Sequence, residues 1–244
     1  MGEYQKAEPL YLKTLKINEK ILGEEHPSTA ISYNNLAGIY ETMGEYKKAE
    51  LLYLKSLKIN EKVLGEEHPN TANNYNNLAN LYQTIGEYQK AEPIYLKALK
   101  INEKILGEKH PDTASSYNNL AKLYNNIGEY GKAELFYLKA LRIQQELLGE
   151  EHPITANSYN NLAYLYYNQG NLEKAHLYMK KAVEIYSKVL PENHPNLIEA
   201  KKGLKLISPA SKINVIGDIN GIGSVTGGTI NQTINSGNIS FDKK

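Results

Sequence analysis

Cysteine is absent from this chain of 244 residues, and neither sign of charge is in clear excess. Without cysteine there is no disulfide framework, no thiolate metal site and no cysteine nucleophile. This composition suits a reducing compartment, so we expect a cytoplasmic protein. Lysine and arginine number 28 against 27 acidic residues. That balance gives no patch for nucleic acid or an anionic membrane, and we expect neither as a partner.

The sequence also lacks long apolar runs and the residue patterns of catalysis. No apolar stretch is long enough to span a bilayer, and the N-terminus has no apolar signal core. We find no nucleophile–base pair, no metal-ligand spacing and no phosphate-binding glycine loop. The histidines that precede proline lie too far apart to share a metal ion, so we interpret them as turn residues. We therefore predict no catalytic residue, no metal and no cofactor.

A strict internal repeat dominates what is present. The pentad Tyr-Asn-Asn-Leu-Ala starts at Tyr33, Tyr75, Tyr117 and Tyr159, a constant step of 42 residues. The dipeptide His-Pro keeps the same step at His26, His68, His110, His152 and His194. A fixed period of this length indicates a solenoid, in which one supersecondary unit stacks on copies of itself.

Within one copy the spacing predicts two helices. Pro27 suits the first turn of a helix, where its missing N–H costs nothing. Apolar residues then follow at helical spacing at Tyr33, Leu36, Ala37 and Tyr40. Gly44 permits the left-handed turn that ends this helix, and Gly65 closes a second one. Each unit is therefore predicted to be a helical hairpin of roughly 15 plus 20 residues.

The order of large and small residues resembles the tetratricopeptide repeat. The matching positions are Tyr33, Leu36, Ala37, Tyr40, Gly44, Tyr46, Ala49 and Tyr53. The unit is longer than the common one of about 34 residues, and its Leu-Gly…His-Pro and Asn-Asn-Leu-Ala segments are similar to those of the kinesin light chain subclass. The resemblance implies an all-α fold, a right-handed superhelix of antiparallel helix pairs, and a role in protein–protein interaction.

The repeat divides the chain into a solenoid over residues 1–207 and a tail over residues 208–244. We expect a half repeat at 1–25, full repeats from about 26, 68, 110 and 152, and a capping helix at 194–207. Residues 2–9 repeat residues 86–93, so the sequence opens on a second helix. We expect residues 3–22 to expose an apolar stripe, as in a fragment of a longer array or one side of a self-association interface.

The tail is rich in Gly, Asn, Ser, Thr, Ile and Val, and residues 212–240 lack aromatic side chains. Three interpretations stay open. The tail is a disordered linker, a set of short strands that pair with another chain, or a cross-β signalling motif. The last two would make it a β-prone segment that drives self-association.

Helical geometry places a set of polar residues opposite the packed face of each first helix. Related repeats use an asparagine at the position of Asn35, Asn77, Asn119 and Asn161 to hold an extended peptide backbone, and the resemblance implies that role here. The same face is predicted to carry Asn73, Asn80, Lys122, Asn126, Tyr164 and Asn168. The competing interpretation is that the asparagines hydrogen-bond neighbouring helices.

These features favour a scaffold or adaptor that binds a protein or peptide ligand in an asparagine-lined groove. Only Lys122 adds positive charge to that face, so we expect a neutral or polar ligand segment. The alternative is a sensor or oligomerisation fragment of a larger signalling receptor, in which the tail drives assembly.

Overall fold

The computed structural model describes residues 2–207, with side chains from residue 6 onward, and these residues form helices and no strands. The helices are α1 (Gly2–Leu22), α2 (Pro27–Thr42), α3 (Tyr46–Val63), α4 (Pro69–Thr84), α5 (Tyr88–Ile105), α6 (Pro111–Asn126), α7 (Tyr130–Leu148), α8 (Pro153–Asn168), α9 (Leu172–Val189) and α10 (Pro195–Ile207). Each helix packs chiefly on the helices before and after it in sequence. The predicted all-α solenoid is confirmed, and the predictions for the tail lie outside the described residues.

The boundaries of the hairpins follow from glycine and from an unexpected role of histidine. Gly44 adopts a φ of +78°, which ends α2, and its equivalents do the same in later copies. The Nδ1 atom of His68 accepts a hydrogen bond of 3.1 Å from the backbone N–H of Asn70. The same N-cap bond recurs at His26, His110, His152 and His194. The histidines predicted to be turn residues therefore cap the first helix of each hairpin.

Alanine and tyrosine fill the helix crossings, as predicted. Ala49, Ala91 and Ala133 have no exposed surface, so the two helices of a hairpin approach closely at these points. Tyr53 and Tyr95 pack beside them and are buried. The cores of successive hairpins are continuous, which makes one elongated hydrophobic core. Pro93 lies inside α5, and the helix continues through it.

Polar bonds join each hairpin to the one before it. The hydroxyl of Tyr124 donates to Glu92 at 2.7 Å, across the boundary between two repeats. Lys132 lies over the same tyrosine ring, 4.9 Å from its centroid. Equivalent tyrosine–glutamate bonds link Tyr40 to Glu8, Tyr82 to Glu50 and Tyr166 to Glu134. Each ring is thus held by a carboxylate from one repeat and an ammonium group from its own.

The first helix in the chain exposes the apolar stripe that the sequence predicts. Ile17 of α1 is 45% exposed, whereas its equivalent Ile59 is only 9% exposed. Leu10 and Ile21 are 66% and 72% exposed. In the later hairpins the first helix covers this face, and none of the described residues covers it on α1. Self-association through this face stays a prediction.

Candidate functional site

The exposed side of α2, α4, α6 and α8 forms the surface that we call the groove face. It contains four asparagines at the same register, which we call the asparagine column: Asn35, Asn77, Asn119 and Asn161. Asn35 is exposed and the other three are half-buried. They share this orientation because each follows the buried tyrosine of its helix by two residues, which turns the side chain away from the core.

Three of the four column residues keep their side-chain amides without a partner. In the part of the chain that the structure describes, Asn35, Asn119 and Asn161 make no side-chain hydrogen bond. Asn77 differs, because its Nδ2 donates to Asn34 Oδ1 of the preceding repeat at 2.9 Å. Asn35, Asn119 and Asn161 could therefore offer both a donor and an acceptor to a peptide group.

The asparagine that precedes each column residue has a different environment. Asn34 Oδ1 accepts from Asn74 as well as from Asn77, with the former at 3.4 Å. Asn76 is buried, and its Nδ2 donates to Ser116 Oγ at 3.2 Å. Hydrogen bonding between neighbouring helices thus accounts for Asn34 and Asn76, as the competing interpretation expected.

The remaining predicted residues divide between free and engaged side chains. Asn73 and Lys122 are exposed. Asn80 Oδ1 accepts from the hydroxyl of Tyr95 at 2.9 Å. The others are Asn126, which is half-buried, Asn168, which donates to Asn125 at 3.1 Å, and Tyr164, whose hydroxyl lies 3.4 Å from Glu199 Oε1.

Two carboxylates on or beside the groove face were missed by the sequence prediction. Glu41 is half-buried and accepts hydrogen bonds from Tyr53 at 2.9 Å and from Thr84 at 3.5 Å. Burial raises the pKa of Glu41, although these bonds and the charge of Lys122 act in the opposite direction. The available signal was that Glu41 occupies the register at which the later copies have Gln83, Asn125 and Tyr167.

Glu199 is the second carboxylate, and it lies on α10. It occupies the register of Asn73 and Asn157, so α10 continues the groove face beyond the last full hairpin. The groove face therefore carries carboxylates near both ends and one lysine in its middle.

Over residues 2–207, the groove face offers side chains that form hydrogen bonds. No group of three or more potential metal ligands comes together there. No helix in that range is long and apolar enough to cross a membrane.

Comparison with known proteins yields one family. The tetratricopeptide repeat model matches residues 1–62, 52–104, 72–146 and 128–188. None of the curated proteins gives a significant match.

Several solved structures share the fold. BtubC (BKLC) from P. vanneervenii is 22% identical with a TM-score of 0.69, and the match covers 96% of this chain and 99% of that one. A Podosopora anserina protein described as a kinesin light chain with nearly identical TPR-like repeats is 28% identical with a TM-score of 0.66, over 80% and 92% of the two chains. The apo form of RapI is 21% identical with a TM-score of 0.68, over 89% and 58%.

Proposed function

We propose, from the premise that this chain belongs to the tetratricopeptide repeat family, that it is a scaffold whose groove face binds an extended peptide segment of a partner protein. The observation that carries the proposal is the asparagine column. Three of its side-chain amides lie on one surface with no partner among the described residues. Asparagine is a mediocre helix former, so its recurrence on this face needs a reason other than helix stability.

The chemistry of an amide matches that of a peptide backbone. Each free asparagine can donate to a backbone carbonyl and accept from a backbone N–H, so it recognises the main chain without selecting a side chain. Repetition of the same amide from hairpin to hairpin suits a ligand that lies extended across several helices. The Podosopora anserina kinesin light chain of known structure adds support here only through the shared repeat pattern.

The charges of the groove face argue against a strongly acidic ligand. Lys122 is exposed, but Glu41 and Glu199 stand on the same side of the molecule. A run of carboxylates in the ligand would meet more repulsion than attraction. The proposal therefore favours a neutral or polar segment, and it assigns the interaction to the cytoplasm, where a chain without cysteine has no disulfide to lose.

A selection from random peptides tests the proposal. The purified chain would be used to select from a phage-displayed library of random heptapeptides, and an enriched peptide would be synthesised and titrated. The double variant Asn119→Ala and Asn161→Ala should bind that peptide about tenfold to a few hundredfold more weakly. Each lost hydrogen bond costs on the order of 1 kcal/mol or more. Its melting temperature should stay close to that of the wild type.

Asn76→Ala is the matched control, because Asn76 is buried and hydrogen-bonded to Ser116 rather than exposed in the column. It should lower the melting temperature and leave the affinity of the folded protein nearly unchanged. If the double variant binds the peptide as well as the wild type does, the column is not the binding site.

A further inference from the structure

We infer that the C-terminal end of the groove face holds a site for a cationic side chain of the partner, a lysine or an arginine. A depression of about 290 Å³ lies there between α8, α9 and α10. Its lining consists of Asn157, Asn160, Asn161, Tyr186, Asn196 and Glu199. None of these residues is a lysine or an arginine, and one is a carboxylate.

The depression presents hydrogen-bond acceptors that lack donors. Glu199 receives only the hydroxyl of Tyr164, at 3.4 Å, and no lysine or arginine of the described range pairs with it. Asn161 also lines the depression, and its side-chain oxygen has no hydrogen-bond donor in that range. A ligand that supplies N–H groups could pair with both of these acceptors.

A second amide at the same place has its orientation fixed by its neighbours. Asn157 Oδ1 accepts from the hydroxyl of Tyr186 and, at 3.5 Å, from Asn196 Nδ2. The carbonyl oxygen of Asn157 is held in place by these two donors. The acceptors that stay available to a ligand are therefore those of Glu199 and Asn161.

The two tyrosines report a partly desolvated and negative environment. Burial, followed by the charge of Glu199, raises the pKa of Tyr164 to about 12. The pKa of Tyr186 is also raised, first by burial and then by the charges of Glu199 and Tyr164. A positive charge placed here would gain from the same field, and partial burial would make that gain larger than on an open surface.

Size and stacking suit a long side chain. The volume would hold several water molecules at about 30 Å³ each, which is ample for an ammonium or guanidinium group with part of its alkyl stem. Tyrosine rings beside such a stem also attract the cation through their π face. The protein already uses this contact, since Lys181 lies over Tyr159 with its Nζ 5.2 Å from the ring centroid.

The lysines of α10 do not supply the positive charge of this site. Lys201 is engaged by Glu192 at 2.6 Å, away from the depression. Lys202 and Lys205 form no ion pair with Glu199. An acidic ligand side chain would meet the carboxylate of Glu199 without a compensating cation, so the chemistry selects a base.

This inference rests on the proposed function, because the cation is taken to be part of the bound peptide. The random heptapeptide library serves as the probe. Selection on the wild type should enrich peptides with lysine or arginine at one fixed position. Glu199→Gln should lose that preference while it keeps the rest of the enriched pattern. Glu184→Gln is the matched control, because it removes an exposed carboxylate of α9 that does not line the depression.

Titration of one enriched peptide then measures how much its basic side chain contributes to affinity. Replacement of its lysine by norleucine should weaken binding to the wild type by about tenfold, the scale of a hydrogen bond to a charged group. The same replacement should change little in Glu199→Gln. If peptides are enriched without a basic position, or if Glu199→Gln keeps the basic preference, the inference is wrong and the proposed function stands. If no peptide is enriched at all, both are overturned.

Discussion

Lys109 and Glu146 form an ion pair of 2.8 Å whose charge order is the reverse of the equivalent pairs in the neighbouring hairpins. One repeat earlier the same two positions are Glu67 and Lys104, 2.6 Å apart. One repeat later they are Glu151 and Lys188, again with the acid first. Both members of the pair are exchanged together, so the contact is kept although each residue is changed.

The exchanged pair gives a double-mutant test of this contact. Lys109→Glu should lower the melting temperature slightly, because it places two carboxylates side by side. Adding Glu146→Lys should restore the melting temperature, since it recreates the order found at Glu67 and Lys104. Lys109 and Arg142 lower the pKa of Glu146 through hydrogen bonds, which supports an attractive contact in the native protein. The pair is exposed, so the effect should be small and should vanish at high salt.

Thermal denaturation of the two single variants and the double variant at low and high salt measures the coupling. If the change in melting temperature of the double variant equals the sum of the changes in the two single variants, the pair contributes nothing.

The histidine caps predict a loss of stability when their acceptor atom is removed. Nδ1 of His68 accepts from the backbone N–H of Asn70, and Nδ1 of His152 accepts from that of Ile154. Without such an acceptor, a backbone N–H in the first turn of the helix loses its protein partner.

A variant with His68→Ala and His152→Ala should lose about 1 kcal/mol of stability for each cap. The control variant with His68→Asn and His152→Asn should keep most of that stability, because an asparagine side chain also caps a helix. Chemical denaturation at neutral pH would compare the two variants with the wild type. An alanine variant as stable as the wild type would show that the caps contribute nothing.

The alanines at the helix crossings predict that a larger side chain there lowers the free energy of unfolding. Ala91 has no exposed surface, so Ala91→Leu should force α4 and α5 apart and cost about 1–3 kcal/mol. Gln89→Leu is the control, because it adds the same side chain at an exposed position of α5. Chemical denaturation would compare the two variants. A loss no greater than that of the control would mean that the crossing can expand freely.

The tyrosines that join repeats predict an alkaline limit to stability. Burial, followed by the hydrogen bond to Glu92, raises the pKa of Tyr124 to about 12, and the pKa of Tyr82 is raised to about 12 in the same way. The folded state thus holds the phenol protonated above its ordinary pKa of about 10. The stability that these protonated tyrosines contribute is complete below about pH 10 and is lost as the pH rises towards about 12.

Tyr124→Phe should cost on the order of 1 kcal/mol at neutral pH and should reduce the loss of stability at alkaline pH. Tyr130→Phe serves as control, because the hydroxyl of Tyr130 forms no hydrogen bond with a described residue. The absorbance of tyrosinate as a function of pH, read beside the helical signal in circular dichroism, gives both quantities. Ionisation of the full set of tyrosines near pH 10 with no loss of helix would contradict the prediction.

The sequence predicted the turns and helix crossings that one repeat determines by itself. Gly44 as a turn and Ala49 as a crossing point follow from spacing along a single hairpin, and both are confirmed. The all-α solenoid follows from the fixed period, because identical units that are each one-sided must stack. The exposed stripe of α1 followed from the same comparison between copies.

What the sequence could not supply depends on how one repeat sits against the next. The bond from Asn77 to Asn34 spans 43 positions and exists only at one relative rotation of successive hairpins. The capping role of His68 is local to one repeat, but it requires a particular rotamer, which composition does not reveal. The hydrogen bonds that Glu41 accepts likewise come from Tyr53 and Thr84 on two other helices. The role of the asparagine column as a peptide site stays a prediction.

The tyrosine–glutamate bonds between hairpins are similar at each junction, which bears on how the molecule would respond to tension. Tyr40, Tyr82 and Tyr124 tie each hairpin only to its predecessor, so tension applied to the two ends passes through every junction in series. A junction that yields releases one repeat of 42 residues, about 140–150 Å of extended chain. The neighbouring junctions can then close again as the force drops. We therefore expect an end-to-end pull to extend the array in steps of one repeat.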